Sequence, residues 1–150
     1  MDRFLTIKNI FKKIKIHSFT FILVFLSIIM GLFKNILILF IIITVHELGH
    51  YLVACYYKWK IKEITFYPYG GLIVFDEFLN KPLFEELVIL LGGPFFQILN
   101  YFLVFFLFKN NFLLLNTWNL YYNYHYYLLF FNLLPIYPLD GFKLFNILGR

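Results

Sequence analysis

The chain has 150 residues, of which 62% are hydrophobic and 14% are charged, and it contains 22 Phe and 12 Tyr. A soluble domain of this size needs polar faces on its helices, whereas several runs here lack charge over lengths close to the ~20 residues that cross a bilayer. This composition excludes an ordinary water-soluble domain and indicates a membrane protein. The net charge of +5 does not indicate nucleic-acid binding, because the lysines lie beside apolar runs, where they act as topology determinants.

Four apolar runs are predicted to span the membrane. They follow a basic interfacial lead-in, residues 1–16, and cover residues 17–33, 36–57, 87–108 and about 119–134. The first run is short for a span, so its flanks must contribute. Basic residues concentrate in the N-terminal segment, in the loop after the second span and at the C-terminal end. The positive-inside rule therefore places both termini in the cytoplasm.

Residues 61–78 carry a pattern that differs from that of the spans. β-Branched and aromatic residues lie on both sides of PYGG, residues 68–71, which predicts a β-hairpin at the membrane interface or against protein. The GGP sequence at residues 92–94 predicts a close neighbouring helix and a local break in the third span. The expected fold is an all-α polytopic membrane protein with about four transmembrane helices and a small membrane-associated hairpin between the second and third. No internal repeat is found, so residues 1–150 are expected to form a single domain.

The second span contains the motif HELGH, in which two histidines and a glutamate lie among apolar residues. On a helix His46 and His50 share one face, with Cβ atoms about 5–6 Å apart, which suits two ligands of one Zn²⁺. Glu47 projects beside them and can reach a water molecule on the ion without binding the ion itself. Composition predicts fewer than about 0.01 chance occurrences of this pattern, so chance explains it poorly. A structural His–Glu hydrogen bond and a proton relay in a transporter are the alternatives.

A catalytic zinc needs three protein ligands and one open position, so a third ligand must come from elsewhere. The remaining candidates are His17, Cys55, His125 and Asp140. His17 lies at the membrane interface, His125 lies in an aromatic belt toward the opposite side, and Cys55 is about 140° around the helix from the second histidine. Asp140 is favoured, because two prolines and Gly141 allow irregular backbone that carries the carboxylate inward. A cap or turn carboxylate at the interface is the alternative.

These motifs carry a resemblance to a known family. HELGH in an apolar helix, followed about ninety residues later by NLLPIYPLDG, resembles the site-2 protease family of intramembrane zinc metalloproteases, and especially its sporulation-type members. PYGG in the hairpin and GGP in the third span are further likenesses. The resemblance implies that His46, His50 and Asp140 bind one Zn²⁺ and that Glu47 is the catalytic base.

The resemblance also implies substrate-binding residues, partners and a location. Asn132 would be a polar contact near the scissile carbonyl, and Pro135 would belong to the substrate-facing break. The substrate would be a transmembrane or membrane-attached segment of a regulatory protein, such as a pro-sigma factor, and inhibitory or regulatory membrane proteins are expected partners. The expected location is the bacterial cell membrane, with the N-terminus and active site toward the cytoplasm. Sporulation-type members usually add a nucleotide-binding CBS domain, and none is expected in residues 1–150.

Two other classes of function use the same residues. A membrane transporter or metal-binding protein would use the His/Glu cluster as a transit site, but it would favour further intramembrane charges or repeats, and neither is found in the sequence. A catalytically inactive homologue would act only as a binding partner, and the intact HELGH and LDG motifs argue against it. Metal content together with a cleavage assay separates these classes.

Overall fold

The computed structural model of the protein describes residues 14–67, 70–75 and 82–149. The described part of the chain is mostly helical, with one small sheet. Its elements are β1 (Ile14–Ile16), α1 (Ser18–Ile29), α2 (Phe33–Tyr56), β2 (Ile61–Tyr67), β3 (Gly70–Phe75), α3 (Leu83–Lys109), α4 (Leu115–Asn132) and α5 (Asp140–Leu148). The sheet order is β1-β2-β3.

Two of the described helices, α2 and α3, are long and apolar enough to cross a membrane. They contain 24 and 27 residues, which at 1.5 Å per residue gives lengths of about 36 and 40 Å. Only 33% and 28% of the most apolar 18-residue stretches of these two helices are buried. Most of their apolar surface therefore faces outward, whereas the core helix of a soluble protein is mostly buried. These helices coincide with the predicted second and third spans.

The predicted first and fourth spans correspond to α1 and α4. The 12 residues of α1 extend about 18 Å, which is less than the ~30 Å hydrocarbon core of a bilayer, although Phe21 and Phe25 are exposed as lipid-facing side chains would be. The 18 residues of α4 extend about 27 Å, close to the lower limit for a span, and include several Tyr and Asn residues. The crossing of the membrane by four helices therefore stays a prediction.

The sheet contains the predicted hairpin and one further strand. β2 and β3 pair in antiparallel register, with Phe66 opposite Gly71, while the turn residues 68–69 and residues 76–78 lie outside the described part. β1 pairs with β2 in parallel and was not predicted, because its residues belong to the predicted lead-in. The Ile-Lys-Ile alternation of β1 suits a strand, and Lys15 Nζ lies 2.7 Å from Glu63 Oε2 on the neighbouring strand. Residues 1–13 of the lead-in lie outside the described part.

The contact between α2 and α3 depends on glycine. A Cβ on Gly49 would overlap the carbonyl of Gly92, and a Cβ on Gly92 would lie 2.9 Å from the carbonyl oxygen of Gly49. The predicted close approach of a neighbouring helix at GGP is therefore confirmed. The predicted break is wrong, because α3 continues through Pro94. Proline removes one backbone donor, and the tight packing of α3 on α2 at the nearby Gly92 favours continuation of the helix despite that loss.

Two apolar clusters lie on either side of the HELGH motif and fix the elements around it. The first packs the sheet against α2 and α3, and here Trp59 Nε1 donates to Glu85 Oε2 at 2.8 Å. The second packs α2 against α4. The first cluster contains Ala54, Trp59, Ile61, Ile64, Ile73 and Ile89, and the second contains Ile42, Ile43, Tyr121 and Leu128.

Candidate metal centre

Three side chains from two distant parts of the chain converge in the fold. His46 and His50 are buried on α2, and Asp140 is the first residue of α5. Asp140 Oδ2 lies 2.9 Å from Nε2 of each histidine, and the two Nε2 atoms lie 3.1 Å apart. Within the described residues these three form the group of His, Cys, Asp and Glu side chains able to hold one ion. The structure thus brings together the three residues predicted as ligands.

The outer contacts of both imidazoles leave their Nε2 atoms available to an ion. His50 Nδ1 donates to the carbonyl oxygen of Ile89 at 2.8 Å, and His46 Nδ1 lies 2.8 Å from Gln97 Oε1. Metal-binding histidines usually make such outer contacts. The amide of Gly93 also lies 3.3 Å from His50 Nδ1, but it could donate only to the opposite tautomer. The contact with the carbonyl oxygen of Ile89 is shorter, and a carbonyl oxygen can only accept, so His50 Nδ1 carries the proton.

The donor set fits a zinc ion. Tetrahedral ligands at 2.0–2.1 Å from zinc lie about 3.3 Å apart, close to the separations found among the three donor atoms. Gly93 keeps the space beside them open, because a Cβ at this position would overlap His50 Nε2 and lie 2.7 Å from His46 Nε2. Two imidazoles and one carboxylate are also a ligand set typical of catalytic zinc.

Glu47 lies beside this group and points toward the sheet. Its Oε1 accepts a hydrogen bond from the amide of Gly71 on β3 at 3.0 Å, and the side chain is buried. A Cβ on Gly71 would overlap Glu47 Cγ and Cδ, whereas a Cβ on Gly70 would meet nothing within 4 Å. Glu47 is thus held next to the group by a backbone amide of β3, the strand at the edge of the described sheet.

A cavity of about 290 Å³ adjoins the group and lies between β3, the first half of α3 and residues 137–147. Glu47, His50 and Asp140 contribute to its wall, and most of the remaining lining is apolar. Asn132 also lines it, and its Nδ2 lies 3.4 Å from His46 Nε2, so the predicted substrate contact is beside the centre. Pro135 is exposed and does not line this cavity, and its predicted role stays a prediction.

The other residues weighed as ligands lie outside the group. His17 caps α1, with Nδ1 accepting a hydrogen bond from the amide of Phe19 at 3.2 Å. Cys55 is exposed. His125 is buried, and its ring packs 4.9 Å from that of Tyr101. None of the three approaches the convergent Nε2 and Oδ2 atoms in the described structure.

The charge on Asp140 is favoured by its neighbours. Burial alone would raise the pKa of Asp140, but attraction to the His50 ring and hydrogen bonds with both imidazoles outweigh burial and hold this pKa below its usual range. Lys143 Nζ lies 3.4 Å from the second carboxylate oxygen, and the position at a helix N-terminus adds to the effect. The group therefore presents a carboxylate rather than a carboxylic acid.

The helix that carries Asp140 was not predicted. The sequence indicates irregular backbone around Asp140, whereas the irregular segment covers residues 133–139 and Asp140 opens α5. Gly141 makes this arrangement feasible, because a Cβ there would overlap the carbonyl of Leu133 at the end of α4. The carboxylate therefore projects from the start of a helix that packs closely on the preceding segment.

Comparison with known proteins agrees with this geometry. Residues 34–113, which contain HELGH and GGP, match the sequence profile of Peptidase family M50. The chain belongs to this family. The M50 chain is 38% identical over 136 residues to stage IV sporulation protein FB of Bacillus subtilis, and the match covers 91% of this chain and 47% of that protein. The structure of the M50 chain is similar to that of the site-2 protease from Methanocaldococcus jannaschii, with a TM-score of 0.65 and 31% sequence identity. This match covers 85% of the M50 chain and 62% of the site-2 protease chain.

These comparisons confirm the resemblance to site-2 proteases and to their sporulation type. Family membership and two long, outward-facing apolar helices together identify the M50 chain as a membrane protein. The M50 chain spans about half the length of the sporulation protein and less than two thirds of the site-2 protease chain that it matches.

Proposed function

We propose that this M50 protein is an intramembrane zinc metalloprotease that hydrolyses a peptide bond in or near a transmembrane or membrane-attached segment. His46, His50 and Asp140 hold one zinc ion, and Glu47 is the catalytic base. The observation that carries the proposal is the convergence of three donor atoms, 2.9–3.1 Å from one another, beside Glu47 and an adjoining cavity. A buried group of this kind inside an apolar fold needs a function or a partner for its charge.

The chemistry follows from the positions of these side chains. A zinc ion held by His46, His50 and Asp140 would act as a Lewis acid on the peptide carbonyl and would lower the pKa of a water molecule. Glu47 accepts the proton of the attacking water and then gives it to the leaving amine. The hydrogen bond from the Gly71 amide orients the Glu47 carboxylate for this proton transfer. Asn132, whose Nδ2 points into the same space, donates to the reacting carbonyl.

The substrate is an extended segment. The carbonyls of an intact helix are already hydrogen-bonded and shielded, so a transmembrane segment must unwind before it is cleaved. β3 lies at the edge of the described sheet, and the Gly71 amide points away from β2 toward Glu47. Because backbone groups on a strand alternate, those of Ile73 face the same open side. A substrate strand paired along this edge would pass Glu47 and the apolar cavity.

The likeness to a sporulation protein supports a regulatory substrate. A membrane-attached pro-sigma factor is the substrate class proposed here, and inhibitory or regulatory membrane proteins are the proposed partners. The protein is proposed to cross the bacterial cell membrane several times, with the centre toward the cytoplasm, because basic residues concentrate on that side of the predicted topology.

Cleavage is expected to depend on zinc. The test uses detergent-purified protein and reporter proteins that each carry one membrane-tethered segment, including a pro-sigma factor. Removal of zinc with a chelator should abolish cleavage, and added Zn²⁺ should restore it, whereas Mg²⁺ should not, since Mg²⁺ prefers oxygen ligands and two of the three donors are imidazoles. Undiminished cleavage by the metal-free protein would overturn the proposal.

Gly71→Ala is expected to reduce cleavage by about 10²-fold without loss of zinc, because the new methyl group displaces Glu47 from its position and small misplacements of a catalytic group have effects of this size. Gly70→Ala is the matched control, since a methyl group there meets nothing within 4 Å. Rates of reporter cleavage and zinc content of both variants are the measurements. Equal activity of the two variants would show that the β3 contact does not position Glu47.

A further inference from the structure

A buried glutamine joins three helices next to the candidate metal centre. Gln97 lies inside the apolar helix α3, and its side chain is fully buried, with 0% exposure. Its Oε1 lies 2.8 Å from His46 Nδ1 on α2, and its Nε2 donates to the backbone carbonyl of His125 on α4 at 2.9 Å. Both ends of the amide thus have partners, as buried polar groups require.

These contacts determine which atom donates in each of the two hydrogen bonds of Gln97. A backbone carbonyl oxygen can only accept, so the amide nitrogen of Gln97 must face His125. The oxygen of Gln97 then faces His46, and His46 Nδ1 must carry the proton that is donated to it. In the neutral form of His46 that binds a metal ion, the lone pair is consequently on Nε2, the atom that lies 2.9 Å from Asp140 Oδ2 and 3.1 Å from His50 Nε2.

We propose that Gln97 is a positioning residue for the metal centre, and that the α4 carbonyl sets the direction of its amide and thereby the tautomer and ring orientation of His46. This inference rests on the proposed zinc-dependent function. The two histidines differ in this respect, because His50 Nδ1 donates directly to the backbone carbonyl of Ile89. The orientation of His46 depends on the Gln97 side chain and on the placement of α4, so a substitution of Gln97 can change it. The orientation of His50 depends on a backbone carbonyl, which a side-chain substitution does not remove.

The first test measures zinc affinity by competition with a chromophoric chelator in detergent. Gln97→Leu removes the acceptor for His46 Nδ1 and should weaken zinc binding by about 10- to 100-fold, the range typical for loss of an outer partner of a metal ligand. Gln97→Glu keeps an oxygen acceptor and should recover part of this affinity. Asn100→Leu is the matched control, because it removes another α3–α4 hydrogen bond, from Asn100 Nδ2 to Tyr121 Oη at 2.9 Å, and should leave zinc affinity unchanged.

The second test uses nitrogen-15 NMR of histidine-labelled, zinc-loaded protein. In the wild type His46 should coordinate through Nε2 and show a slowly exchanging proton on Nδ1, and this exchange should accelerate in Gln97→Leu. Equal zinc affinity of Gln97→Leu and wild type would overturn the inference. If Gln97→Leu does not fold, coordination of wild-type His46 through Nδ1, or rapid exchange of its Nδ1 proton, overturns it instead. A wild type that binds no zinc would refute the proposed function itself, a result distinct from these.

Discussion

Glu47→Gln is expected to abolish peptide-bond cleavage while leaving zinc binding intact. Glutamine has nearly the same shape, and its Oε1 can still accept the hydrogen bond from the Gly71 amide, so the local structure should be preserved. It cannot accept the proton of water or return it to the leaving amine. Because general acid–base catalysis contributes about 10²- to 10⁴-fold, cleavage should fall to the background of the assay.

The measurement compares cleavage of a membrane-tethered reporter by purified wild type and variant, with zinc content determined on the same samples. Glu63→Gln is the matched control, because it makes the same chemical change on β2, where Glu63 pairs with Lys15 and lies outside the cavity wall. Glu63→Gln should cleave at the wild-type rate. Full proteolysis by Glu47→Gln would refute the assignment of the base.

Asp140→Asn is expected to weaken zinc binding by more than the 10- to 100-fold typical of outer partners, and to abolish cleavage with it. Asparagine keeps the shape but loses the charge that balances the ion, and the two imidazoles alone leave the ligand set incomplete. The measurement is zinc affinity by chelator competition, followed by cleavage at rising zinc concentrations.

The two variants should differ in their response to added metal. Excess Zn²⁺ should restore part of the activity of Asp140→Asn, because it fills a weakened site, but none of the activity of Glu47→Gln, because that variant already holds the ion. Wild-type zinc affinity in Asp140→Asn would show that this carboxylate is not a ligand, and that another side chain supplies the third ligand.

The features that were predictable from the sequence are local ones. A long apolar run is sufficient to predict α2 and α3 as helices, and a spacing of four residues is sufficient to place His46 and His50 on one face. Asp140 is predictable as the third ligand by elimination, although it lies about ninety residues from the two histidines, because few carboxylates lie among apolar neighbours. That reasoning needs no packing information, since unpaired charge in lipid is costly wherever it lies.

The features that were missed depend on how the elements pack. β1 forms by pairing with a strand more than forty residues away, and an Ile-Lys-Ile segment by itself is compatible with the predicted lead-in. Pro94 predicts a break locally, yet packing of α2 on α3 keeps the helix continuous. Gln97 was also missed, although a signal exists: Gln97 and Asn100 are polar residues three apart on one face of an apolar helix, and both contact α4.

The central claim, that one ion is held by His46, His50 and Asp140, is tested most directly by X-ray absorption at the zinc edge of the purified wild-type protein, combined with metal analysis. The account predicts one zinc per chain, with two imidazole ligands, further ligation by oxygen and no sulfur. A sulfur ligand from Cys55, or a protein that takes up no zinc while it cleaves its substrate, would contradict it.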